Sequence, residues 1–89
     1  MVELTLLYKD NDPYCHQALE ALEYISLEEE FRDFHIALVD VQDDHKDYPR
    51  LPVALVNNRK VYQGEENEDY TSCKEKLRNA MLEALKEAA

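Results

Sequence analysis

Two cysteines, Cys15 and Cys73, are the side chains best suited to covalent chemistry in this 89-residue chain. Cys15 ends the segment Asp12-Pro13-Tyr14-Cys15, so a carboxylate stands three residues ahead of the thiol. At a helix N-terminus the unpaired N–H groups and the positive end of the helix dipole favour thiolate over thiol. Cys15 is therefore a candidate for reaction with a disulfide, and Cys73 is a candidate resolving thiol.

The segments on either side of this motif predict how it is held. The apolar residues between Val2 and Tyr8 alternate with a period of two, which predicts a strand with one buried face. Asp12 supplies a side-chain oxygen that can cap a helix, and Pro13 suits the first helical position because its missing N–H is not needed there. Apolar residues at helical spacing then predict a helix from Pro13 that ends between residues 24 and 27.

The order of strand, motif and helix resembles the glutaredoxin branch of the thioredoxin-like fold. The resemblance extends over nearly the whole chain. Asp12-Pro13-Tyr14-Cys15 resembles a Cys-Pro-Tyr-Cys redox motif whose first cysteine is replaced by aspartate. The further matches are Lys9 ahead of the motif, Leu51-Pro52 opening a later strand, a strand pair around Asn57-Asn58, and a C-terminal helix.

The remaining elements agree with one glutaredoxin-type α/β domain over residues 1–89. Residues 34–41 are apolar on both sides, which predicts a strand in the sheet interior. Residues 42–51 are too few for a full crossover helix, so we expect at most a short turn of helix there. Strands at 52–56 and 60–62 form a hairpin, because the asparagines between them tolerate positive φ.

The last helix is predicted over residues 72–87, with a capping box at Ser72-Cys73-Lys74-Glu75. The resulting order is βαβ-ββα, a four-stranded mixed sheet with a reduced middle helix. Right-handed crossover places the first helix on one face of the sheet, and the resemblance implies that the last helix lies beside it. The opposite face would then lack cover, and Ala37, Val39 and Val41 or their neighbours would form a candidate dimer or partner surface.

The resemblance implies specific roles for the motif residues. Asp12 stands where the family has its nucleophilic thiolate, and a carboxylate cannot perform thiol–disulfide exchange. Cys15 matches the second, resolving cysteine, and we expect burial and the nearby carboxylate to outweigh the helix end and raise its pKa. Cys73 begins the last helix at the same end of the sheet, so it either pairs with Cys15 or is a buried structural cysteine.

Ligand contacts are also implied by the resemblance. Lys9 matches a lysine that meets a glutathione carboxylate, and Leu51 matches the residue whose backbone pairs with a peptide or glutathione ahead of cis-Pro52. The family's glycine pair is replaced, since the chain has Tyr62-Gln63-Gly64-Glu65-Glu66, whose side chains and charge disfavour the tripeptide. A protein partner or glutathione stays the candidate ligand, and no resident cofactor is expected. The three histidines lack zinc-type spacing.

Charge excludes several classes of partner. Twenty acidic and ten basic residues give a net charge of −10, which repels nucleic acid and anionic membranes. We expect a cytoplasmic protein, either a monomer or a weak dimer. The chain has two cysteines, no targeting segment and no apolar run of membrane-spanning length.

Two functions are open at this point. The chain is either a degenerate thiol–disulfide redox domain with at most weak single-cysteine activity, or a redox-inactive adaptor that holds a protein partner. Whether it is an enzyme therefore depends on the exposure and pKa of Cys15.

Overall fold

The computed structural model describes residues 2–41, 50–65 and 67–88, and the predicted order of elements is confirmed in them. A single turn of 3-10 helix at Glu29–Phe31, which the sequence did not predict, precedes β2. The reduced middle helix was expected within a segment whose residues 42–49 lie outside the described residues. The elements are β1 (Val2–Tyr8), α1 (Pro13–Ser26), β2 (Phe34–Asp40), β3 (Val53–Val56), β4 (Arg59–Gln63) and α2 (Tyr70–Ala88).

The four strands form one mixed sheet in the order β2-β1-β3-β4. β1 is parallel to β2 and antiparallel to β3, and β3 is antiparallel to β4. Strand β2 therefore lies at an edge of the sheet, and the prediction that it lies in the interior is wrong. The apolar composition of β2 suggested an interior strand, but Leu38 and Val39 are 54% and 40% exposed.

The β3–β4 hairpin has the predicted turn. Asn57 and Asn58 both have positive φ, at 50° and 71°, and two successive left-handed residues match the twist of the flanking strands. The ladder shifts register between Ala54 and Leu55, which indicates a bulge that bends β4.

Both helices pack on the same face of the sheet, as predicted. Leu4 and Leu6 of β1 are fully buried beneath them, and so are Ile25 of α1 and Leu77 of α2. Phe31 of the 3-10 turn meets Phe34 edge to face, with ring centroids 5.6 Å apart. Burying one apolar stripe from each helix against one sheet face gives the domain its main core.

On the opposite face, Val39 is exposed as expected, whereas Ala37 and Val41 are half-buried. Val41 packs against a second, smaller cluster of buried residues, formed by Cys15, Leu51 and Val53. That cluster lies at the end of the sheet where α1 begins.

Helix α2 begins two residues earlier than predicted. Its first residue is Tyr70, and the Asp69 carboxylate accepts a hydrogen bond of 2.8 Å from the Ser72 N–H. Asp69, not Ser72, is thus the capping residue. The sequence does not separate Asp69 from Ser72 as the cap, because both side chains are good helix caps and the two residues lie three positions apart.

Candidate functional site

The start of α1 is capped by Asp12, as the sequence predicts. Asp12 has extended backbone angles, and its Oδ1 accepts from the Tyr14 N–H at 2.8 Å and from the Cys15 N–H at 3.4 Å. Pro13 is the exposed first helical residue, where it forfeits no hydrogen bond. The carboxylate therefore occupies the place in which a thiolate would be stabilised.

Cys15 is completely inaccessible to solvent. Its sulfur accepts a 3.3 Å hydrogen bond from the Lys9 backbone N–H and packs with Leu51 and Val53. Burial is the main reason that the pKa of the Cys15 thiol lies above its ordinary value of 9.0. The Lys9 N–H lowers this pKa, but the negative charges of Asp12 and Asp40 raise it again. The thiol is thus protonated and shielded at neutral pH.

Lys9 shapes the site through its main chain. Besides the N–H that reaches Cys15, its carbonyl accepts from the Asp12 N–H at 3.2 Å, which closes the turn between β1 and α1. The contact of Lys9 with a glutathione carboxylate, which the resemblance implies, stays a prediction.

Leu51 and Pro52 lie directly beside the motif. The Leu51–Pro52 peptide bond is cis, and Leu51 packs in the same cluster as Cys15. Within the described part of the chain, neither backbone group of Leu51 has a hydrogen-bond partner. Both groups lie at the end of the sheet, next to the start of α1.

Gly64, the only glycine in the chain, holds Pro52 in place. Its N–H donates to the Pro52 carbonyl at 2.8 Å, and a Cβ at Gly64 would lie 2.5 Å from Pro52 Cδ. That distance is shorter than any tolerated carbon–carbon contact. This role was not predicted from the sequence, and the uniqueness of the glycine was the signal that could have revealed it.

Cys73 does not join the Cys15 site. Both cysteines are free and buried, but Cys73 belongs to the main core, where its sulfur lies 3.2 Å from the Tyr62 hydroxyl. Burial raises the pKa of the Cys73 thiol, and the hydrogen bond with Tyr62 partly opposes this. The structure thus places Cys73 as a structural cysteine with no contact to Cys15, and its resolving role stays a prediction.

The Tyr62 hydroxyl also hydrogen bonds the carboxylate of Glu68, whose side chain is only 4% exposed. Glu68 forms a salt bridge of 2.7 Å with Lys76 of α2. Burial, followed by the hydrogen bonds to Cys73 and Glu68, raises the pKa of the Tyr62 hydroxyl far above its ordinary value. The segment after β4 is therefore held by a nearly buried carboxylate that the sequence analysis did not single out.

Two further hydrogen bonds tie this segment to the motif helix. Tyr14 Oη accepts from the Asn67 N–H at 3.1 Å, and Gln17 Nε2 donates to the Glu68 carbonyl at 2.9 Å. Tyr14 is thus half-buried against the segment after β4 and does not point freely into solvent. Among the residues that the structure describes, no three histidine, cysteine, aspartate or glutamate side chains are grouped to hold a metal ion.

Solved structures give one informative comparison. Thioredoxin 1 from the thermophilic eubacterium Thermosipho africanus TCF52B aligns over 92% of this chain and 97% of its own, with a TM-score of 0.52 and 14% identity. The fold is thioredoxin-like. At this identity the likeness concerns the fold alone, so the glutaredoxin assignment is not established by it.

Comparison at the level of sequence adds nothing to this, because no protein-family model and no curated protein matches the chain. No helix in the described ranges is long and apolar enough to cross a bilayer.

Proposed function

We propose that this chain is a redox-inactive binding module of the thioredoxin-like fold, which holds an extended segment of a protein partner beside Pro52. The observation that carries the proposal is the state of Cys15, whose sulfur is fully buried. Asp12, which the resemblance places at the nucleophile's position, caps helix α1. Thiol–disulfide exchange requires an accessible thiolate that attacks a disulfide sulfur. Burial and the neighbouring carboxylate both keep Cys15 protonated.

The binding role is supported by the backbone at Leu51. Its N–H and C=O lack partners in the described part of the chain, and an extended peptide can satisfy two such groups as a short antiparallel pair. Gly64 keeps Pro52, and with it Leu51, in a fixed position. Backbone groups that are already held in position lose little conformational entropy when a segment binds.

A redox assay tests the inactive half of the proposal. We expect the unmodified protein to show no glutathione-dependent disulfide reduction above that of a Cys15→Ser control, and Asp12→Cys to create measurable turnover. Asp12→Asn is the matched control, because it removes the charge without supplying a thiol. Turnover comparable to that of an ordinary glutaredoxin, abolished by Cys15→Ser, would reject the proposal and establish single-cysteine catalysis at Cys15.

The same variant tests the binding half. Asp12→Cys places a thiol at the helix start, and its thiolate can attack a disulfide in a bound partner segment. The other sulfur of that disulfide leaves as a thiol, and mass spectrometry can identify the mixed disulfide that remains. The identified segment, synthesised with serine in place of its cysteine, should bind the unmodified protein in calorimetry. A segment that binds only through the disulfide would contradict the adaptor function.

A further inference from the structure

The free edge of β2 has a defined pattern of hydrogen-bonding groups. Just beyond the strand, the Val41 N–H donates to the Tyr8 carbonyl at 2.9 Å. Because the backbone groups of successive strand residues point to opposite sides, odd-numbered residues of β2 face β1 and even-numbered ones face outward. Ile36 and Leu38 thus direct N–H and C=O groups away from the sheet, and the described residues supply no partner for them.

Within the residues that the structure describes, this edge carries no proline, lysine or bulge. Edge strands are normally interrupted by proline, lysine or a bulge. Strand β2 reads Phe-His-Ile-Ala-Leu-Val-Asp, and it stays in continuous register with β1 over all seven residues. Leu38 and Val39 expose 54% and 40% of their surface, one on each side of the strand. A largely apolar edge in continuous register favours the addition of another strand.

A groove of about 530 Å³ runs between α1 and this edge. Its floor is apolar, and its rim carries two carboxylates from α1, those of Glu20 and Glu23. The remaining lining residues are Leu19, Leu22, Ser26, Ile36 and Leu38. A strand added to β2 would turn every second side chain into this groove.

We propose that β2 accepts an extended segment of a partner protein as a fifth strand of the sheet. The segment carries apolar side chains at alternate positions, which enter the groove, and basic residues on the same face, which meet Glu20 and Glu23. Charge decides against a second copy of this chain as the occupant. Each copy has a net charge of −10, and β2 contains neither lysine nor arginine to meet the acidic rim.

A pair of synthetic peptides tests this. The probe is the acetylated, amidated heptapeptide Lys-Thr-Val-Thr-Val-Thr-Lys, whose lysines and valines share one face of a strand; the matched control has glutamate for both lysines. We expect saturable binding of the lysine peptide with a Kd below about 1 mM, at least tenfold weaker binding of the control, and weakening in high salt. In amide hydrogen exchange by NMR, the Ile36 and Leu38 N–H groups should become protected.

Two variants at Leu38 locate the site. Leu38→Pro removes an outward N–H that the sheet does not use, and Leu38→Lys places a positive charge in the groove; each should weaken the lysine peptide at least tenfold. Leu27→Lys, at a position that is 77% exposed and outside the groove, should leave binding unchanged. If Leu38→Pro does not fold, Leu38→Lys alone decides.

Three outcomes would overturn the proposal. They are equal binding of both peptides, absence of saturable binding up to about 1 mM, and exchange protection outside β2. Sedimentation velocity tests whether a second copy of the chain occupies the edge. A dimer at low micromolar concentration that Leu38→Lys dissociates would assign the edge to that second copy.

Discussion

Replacing Asp12 separates its role as a helix cap from its effect on Cys15. Asp12→Ala removes one good hydrogen bond, at 2.8 Å to the Tyr14 N–H, and one long bond, at 3.4 Å to the Cys15 N–H. One good bond and one marginal bond correspond to a loss of about 1 kcal/mol in the free energy of unfolding. Asp12→Asn keeps an acceptor oxygen, so its loss should stay within about 0.5 kcal/mol.

Urea denaturation and thermal melting measure these losses. For a domain of this size, 1 kcal/mol corresponds to a decrease in Tm of about 4–8 °C and to a shift of the urea midpoint by about 0.3–1 M. The pKa of the Cys15 thiol, followed by NMR of the labelled Cβ, should fall in both variants, since both remove a negative charge that raises it.

The two readouts refute different parts of the reasoning. If Asp12→Ala melts like the unmodified protein, the side chain is not an effective cap. If neither variant lowers the pKa of Cys15, burial alone controls the thiol, and Asp12 does not restrain it. Asp12 would then be better explained as a residue that contacts the partner.

Three further predictions concern the residues around this site. Gly64→Ala should destabilise the fold by about 1–3 kcal/mol in urea, because the new Cβ would overlap Pro52 Cδ. Tyr62→Phe should cost about 1–3 kcal/mol, since the nearly buried Glu68 carboxylate loses a hydrogen-bond donor. Stability should fall as the pH rises above about 9. In the folded protein the two buried thiols have pKa values above their unfolded value of 9.0. Their contribution to the free energy of unfolding is therefore complete below that pH and is lost as the pH rises towards the folded pKa values.

Matched variants control each measurement. Glu65→Ala, beside Gly64 but exposed, should change stability by no more than about 0.5 kcal/mol, and an equal loss would show that Gly64→Ala acts through the loop as a whole. Tyr24→Phe removes a hydroxyl from an exposed ring and should be neutral. Cys15→Ala should remove part of the loss of stability at alkaline pH. If the dependence of stability on pH is unchanged, the thiols do not titrate as described.

The sequence by itself determined the local structure of this protein. The Asp12-Pro13 cap, the strand from Val2 and the positive φ of Asn57 and Asn58 were all predictable, because each depends on neighbouring residues and on the stereochemistry of single residue types. The face that carries α1 was also predictable from right-handed crossover, whereas the position of α2 on the same face was implied by the family resemblance. The presence of a carboxylate instead of a thiol at the helix start followed from residue identity alone.

Only the tertiary structure decided the rest, because those features join residues that are distant in the chain. The contact between Gly64 and Pro52 and the links from Tyr62 to Cys73 and Glu68 depend on how the segment after β4 folds back. The edge position of β2 depends on β3 taking the other side of β1, and an apolar sequence looks the same at an edge and in the interior. The state of Cys15, on which the proposed function depends, is likewise set by burial against Leu51 and Val53, which no local pattern records.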